Sequence, residues 1–64
     1  MAERFKALRV ARELTQQELA DKAQLDRAEL SRYETGQQLP NLGTFYRLCK
    51  ELGVDSNYFF RGLP

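Results

Sequence analysis

Arg27 and Arg32 carry the most consequential chemistry in this chain. A guanidinium presents five N–H donors in a planar fork, a shape suited to phosphate oxygens or to the O6 and N7 edge of guanine. Leu30 and Tyr33 have the spacing that buries one face of a helix, which leaves Arg27, Ala28, Ser31 and Arg32 pointing outward. Upstream, Thr15, Gln16 and Gln17 stand where another helix is expected to begin. Amides without intrahelical partners and the positive end of the helix dipole make such a start a ready anion site. The chain has no histidine and one cysteine, so histidine-based triads and the usual metal-ligand clusters are excluded at the outset. Cys49 falls on the apolar stripe of a helix with no adjacent basic cluster, and it reads as a small core residue rather than a nucleophile. Binding is the expected chemistry, and no enzymatic activity is expected.

Those side chains need helices to hold them, and the start signals for two helices are explicit. Thr15 with Glu18, and Asp26 with Glu29, each place a short oxygen-bearing side chain three residues before a carboxylate, the pattern of a reciprocal capping box. Gly36 then offers a left-handed terminus. A short helix from Gln16 to about Ala23 and another over roughly Arg27 to Glu34, joined by a tight turn, must cross steeply. That is the helix-turn-helix geometry, which presents its second helix to the major groove of DNA.

The remaining elements also read as helices. The first is expected from about Ala2 to Arg12 with Phe5 and Leu8 on its buried stripe and Leu14 tucked in after its end. After Gln37, Gln38, Leu39 and Pro40, Asn41 is a good N-cap for a fourth, lined by Phe45, Leu48, Cys49 and Leu52 and ended by Gly53. Asp55 is placed to cap a short fifth helix over Ser56 to Phe60, with Val54 stapled onto Phe59. No window alternates β-branched residues, so the expected class is all-α: a compact five-helix domain.

At 64 residues the chain is expected to form one domain with a small core. No apolar run suits a signal peptide or membrane span, and a single cysteine cannot form an internal disulfide, so a soluble cytoplasmic protein is expected. Ten basic and nine acidic residues leave a formal charge of +1. Phosphate affinity comes largely from lysines and arginines that release counterions, so a DNA-binding surface here requires its cations on one face.

Several segments together resemble the Cro/repressor (XRE-type, lambda-repressor-like) helix-turn-helix domains. They are Arg4-Phe5-Lys6-Ala7-Leu8-Arg9, Leu14-Thr15-Gln16-Gln17-Glu18-Leu19-Ala20, Leu30-Ser31-Arg32-Tyr33-Glu34-Thr35-Gly36, Pro40, and Leu52-Gly53-Val54 with Tyr58-Phe59-Phe60. Five pieces in the family's order, over nearly the whole chain, make the resemblance specific. It implies a transcriptional regulator, most simply a repressor, that binds an inverted repeat in double-stranded DNA without a cofactor. It places Arg27, Ala28 and Arg32 at base-reading positions, where each good arginine–guanine pair gives roughly 1–3 kcal/mol of discrimination. Gln16 matches a glutamine that bonds phosphate and braces the recognition helix, while Thr15, Gln17, Ser31, Gln37 and Asn41 are further phosphate candidates. Arg9 and Glu34 match an internal ion pair tying the first helix to the third.

Tyr58, Phe59 and Phe60 are too apolar for one face of a short helix to bury, and the family reading makes them a homodimer contact that sets two recognition helices about 34 Å apart. The alternatives are that all three rings fold back onto the first and fourth helices or that a different protein partner occupies the patch, and an additional C-terminal domain after Pro64 is a separate open question. The chain departs from the family at two turn positions, Glu13 and Gln24, where glycine or asparagine is usual. It departs again after Gly36, where a commonly basic stretch is Gln37-Gln38, so phosphate contacts there are expected to be neutral or made by backbone amides. These departures and the near-neutral charge define the rival reading: a protein-interaction module, such as the antitoxin of a toxin–antitoxin pair, with weak DNA binding.

Overall fold

The structure is a computed structural model that describes residues 2–55. Four helices follow one another: α1 (Ala2–Ala11), α2 (Gln16–Ala23), α3 (Arg27–Thr35) and α4 (Leu42–Leu52), with no strand among the described residues. The expected fifth helix, with Tyr58, Phe59 and Phe60, lies outside the described residues. Helix α1 packs on α3, and α2 packs on both α3 and α4. The core takes Phe5 and Leu8 from α1, Leu19, Ala20 and Ala23 from α2, Leu30 and Tyr33 from α3, and Phe45, Leu48, Cys49 and Leu52 from α4. Phe5 meets Phe45 edge-on with ring centroids 6.0 Å apart, which joins the first helix to the last. Five of these side chains, Phe5, Leu19, Leu30, Leu48 and Leu52, are fully buried, each worth roughly 1.5–3 kcal/mol of apolar transfer.

Helix ends follow local chemistry, with one correction. Thr15 caps α2 as a complete capping box: its hydroxyl accepts from the Glu18 amide at 3.0 Å while the Glu18 carboxylate accepts from the Thr15 amide at 2.9 Å. Asn41 caps α4 through Oδ1, which accepts from the Thr44 amide at 2.9 Å. The second capping box does not form. Asp26 has the extended backbone of an N-cap but its side chain makes no cap bond, and Glu29 accepts instead from the Tyr33 hydroxyl at 2.7 Å. A phenol one turn along on the same side of the helix competes for the carboxylate, and the sequence pattern of the cap alone does not register that competitor.

Both non-glycine turn positions take a left-handed backbone: Glu13 has φ 58° and Gln24 φ 61°. Gln24 ends α2, and its strained backbone lets the Leu25 amide reach back to the Ala20 carbonyl at 2.8 Å. The reversal swings the chain directly into Asp26 and α3.

Candidate nucleic-acid interface

Helix α3 is the element that carries the site, and its two faces differ completely. Leu30, Tyr33 and Glu34 are buried, while Arg27, Ala28 and Arg32 are exposed and Ser31 is half-buried. The helix is anchored from below by a polar node as well as by apolar packing. The Glu34 side chain is 1% exposed, and its carboxylate accepts from Arg9 Nε at 2.8 Å, Arg9 Nη2 at 3.1 Å and Gln16 Nε2 at 3.1 Å. Arg9 also donates through Nη1 to the Leu14 carbonyl at 2.8 Å. The Glu34 carboxylate and its Arg9 partner therefore tie α1, the turn before α2, the start of α2 and α3 together. This is an internal node of the fold, and no buried side-chain polar atom among the described residues lacks a partner.

The exposed arginines differ in freedom. Arg27 is exposed and makes no hydrogen bond or ion pair among the described residues. Arg32 donates through Nε to Gln38 Oε1 at 3.0 Å. Neither pairs with Glu29, whose carboxylate is held by Tyr33. Burial first, and the Glu29 hydrogen bond second, push the Tyr33 phenol above its ordinary range, so it stays protonated and remains a donor.

Around α3 the polar groups are already partly committed. At the start of α2 the capping box satisfies two amides, which leaves those of Gln16 and Gln17 without intrahelical partners. The Glu18 carboxylate shares this end, and the Thr15 amide and hydroxyl hold it below the usual carboxylate range. Gln16 spends one side-chain N–H on Glu34, and Gln17 donates to Asp21 Oδ1 at 2.8 Å. The Ser31 carbonyl accepts from Thr35 Oγ1 at 2.9 Å. Asn41 uses its oxygen as the α4 cap, so only its amide N–H groups are left to donate outward.

The connection after α3 corrects one expectation. The amides of Gly36, Gln37 and Gln38 all turn back to the Arg32 carbonyl, at 3.0 Å for Gln37 and 3.3 Å for Gln38. Backbone amides are therefore not available to phosphate at Gln37 and Gln38, and the exposed Gln37 side chain is what that stretch can offer. The cause is the left-handed Gly36, φ 79°, which closes the helix end on itself. Sequence reasoning also missed the Arg32–Gln38 bond, since a separation of six residues matches no helical repeat. It missed the exposed apolar run of Leu39, Leu42 and Tyr46, each more than half exposed.

Cys49 is buried, and burial first, then the Asp55 charge, push its thiol up, away from the nucleophilic thiolate. No group of three or more potential metal ligands occurs among the described residues, and no described helix is long and apolar enough to cross a membrane.

Comparison with curated proteins returns no match. A family model described as helix-turn-helix, HTH_3, matches residues 5–59, from the first buried aromatic of α1 through all of α4 and beyond. This is a family of DNA-binding transcription regulators. A match over that span, on a chain of 64 residues, places it: the chain belongs to the XRE-type, lambda-repressor-like helix-turn-helix family HTH_3.

Proposed function

We propose that the chain is a sequence-specific transcriptional repressor that binds an inverted-repeat operator as a homodimer, with α3 in the major groove of double-stranded DNA. One observation carries the reading: Arg27, Ala28 and Arg32 are exposed on a helix whose opposite face is locked by Leu30, Tyr33 and the Glu34 node. In this reading Arg27 and Arg32 donate to guanine edges and Ala28 meets a thymine methyl. The Thr15, Gln16 and Gln17 end of α2, with Ser31, Gln37 and Asn41, positions the phosphates. Tyr58, Phe59 and Phe60 supply the dimer contact, and repression follows from occupying a site that polymerase needs. Because most of these phosphate ligands are neutral, affinity falls with salt less steeply than the slope of about 0.9 per neutralised phosphate would give a basic interface of equal size.

Selection of bound sequences from a random duplex library tests binding, half-site spacing and base preference together. Enriched inverted repeats are expected, with half-sites about one helical turn apart. In fluorescence anisotropy on the enriched duplex, Arg27→Ala and Arg32→Ala each relax discrimination at one base position by about 5- to 150-fold. A library that yields no enriched sequence refutes the reading. The rival, a protein-interaction module such as an antitoxin, is favoured by exposed Leu39, Leu42 and Tyr46 beside a connection whose amides are already used. It predicts no specific duplex binding.

A further inference from the structure

The position of Gln38 is fixed by local closure at the end of α3. The left-handed Gly36 turns the chain so that the Gln38 amide donates to the Arg32 carbonyl at 3.3 Å while the Gln38 side-chain carbonyl accepts from Arg32 Nε at 3.0 Å. The two residues are thus joined twice, once through backbone and once through side chains. A guanidinium has two usable edges: a side edge that includes Nε–H, and an end formed by Nη1 and Nη2. Occupying Nε removes the side edge. Neither Nη atom has a hydrogen-bond partner among the described residues, so the end remains whole.

We propose that Gln38 is a specificity-determining positioning residue: it clamps Arg32 by Nε so that only the paired Nη1 and Nη2 donors are presented to a base. The inference rests on the reading of Arg32 as a base-reading residue. An unclamped arginine on a helix surface samples many rotamers and meets phosphate or base by either edge. A clamped one arrives with its plane set, and end-on donation to guanine O6 and N7 needs that plane. A glutamine does this where a lysine or arginine cannot, because only the amide offers an acceptor oxygen to Nε–H. Arg27, with no such partner, is the built-in control.

Two measurements on the 64-residue chain have separate failures. In the free protein, nitrogen-15 NMR of the arginine side chains is expected to show slower solvent exchange at Arg32 Nε–H than at Arg27 Nε–H, with Gln38→Ala erasing the difference. Equal exchange in the wild-type chain overturns the clamp whatever happens on DNA. In competition anisotropy, Gln38→Ala is expected to lower discrimination about 2- to 10-fold at the base that Arg32→Ala relaxes. It leaves the Arg27-dependent base unchanged and adds nothing in the Arg32→Ala background. Gln38→Glu keeps an acceptor, so it retains that discrimination while weakening binding to every duplex through charge. A uniform loss across all positions for Gln38→Ala, or a further loss on top of Arg32→Ala, overturns the proposal and makes Gln38 a phosphate ligand. A wild-type chain that selects no sequence overturns the specificity role together with the base-reading of Arg32, and exchange alone then reports the clamp.

Discussion

Replacing Arg9 by methionine is expected to cost about 3–5 kcal/mol of folding stability, because it strands a buried carboxylate. The Glu34 side chain is 1% exposed and accepts three hydrogen bonds, two of them from Arg9, so the substitution removes its counter-charge and leaves only the Gln16 amide. The Leu14 carbonyl also loses its donor, at a net cost of about 1 kcal/mol. A domain of this size has a total stability of only roughly 3–10 kcal/mol, so Arg9→Met brings the chain close to its folding threshold. The converse substitution is milder. Glu34→Leu leaves the Arg9 side chain, 11% exposed in the wild-type chain, still bonded to Leu14 and on a stem long enough to turn its head to water. The double variant removes both charges and is expected to be more stable than Arg9→Met alone, since a buried pair is often replaceable by apolar groups of similar volume. Urea denaturation followed by far-UV circular dichroism measures all three, provided the m value stays constant. Glu34→Leu costing more than Arg9→Met, or a double variant costing the sum of the singles, would refute the reasoning.

Three further predictions follow from the helix ends. Thr15→Ala is expected to destabilise by about 1 kcal/mol through loss of the cap, whereas Asp26→Ala, whose side chain makes no cap bond, costs less than half as much; equal losses in thermal denaturation would contradict this. Gln24→Gly relieves a left-handed residue with a Cβ and is expected to stabilise by about 0.5–1 kcal/mol after the greater chain entropy of glycine is counted, raising Tm by a few degrees. Because Glu18 has its folded pKa depressed, its contribution is present above the ordinary carboxylate value of 4.5 and is lost as pH falls through the lower folded value. The stability gap between wild type and Glu18→Gln is therefore expected to narrow on acidification below about pH 4.5, and a gap that widens there would reverse the sign of the argument.

Apolar spacing made α1 to α4 legible within a residue of their ends, because Phe5 and Leu8, Leu19 and Ala23, Leu30 and Tyr33, and Phe45 through Leu52 each repeat at helical intervals. The turns were legible too, since Gly36 and Gly53 fall where left-handed backbone is needed and Glu13 and Gln24 adopt it at a cost. What escaped was competition among polar side chains. The Asp26–Glu29 pattern is a sound capping signal, yet Tyr33 lies one turn along from Glu29 and takes its carboxylate. Gln37 and Gln38 read as a loop with free amides, and only the closure at Gly36 reveals that both amides are spent on Arg32. Propensity and periodicity describe each residue against the backbone, whereas these outcomes depend on which of several partners reaches an acceptor first.

The same competition accounts for how a chain of formal charge +1 can present a cationic helix face. Helix α3 carries two carboxylates and two guanidiniums, which cancel on paper. Their placement does not cancel. Glu34 is buried and paired with Arg9, so its charge is neutralised beneath the helix, and Glu29 is half-buried against the Tyr33 hydroxyl. Arg27 and Arg32 remain exposed with neither carboxylate in ion-pair contact. At close range in a protein–water boundary a unit charge pair interacts by several kcal/mol, so moving two carboxylates off a face decides its sign more than the whole-chain total does. The removal is incomplete elsewhere, because Glu18 caps α2 beside the amides of Gln16 and Gln17. A phosphate arriving there meets that carboxylate as well as the helix dipole. Under the proposed function, that distribution sets the positive charge at the base-reading positions and leaves the phosphate ligands nearly neutral, so discrimination rather than non-specific attraction is expected to carry most of the affinity.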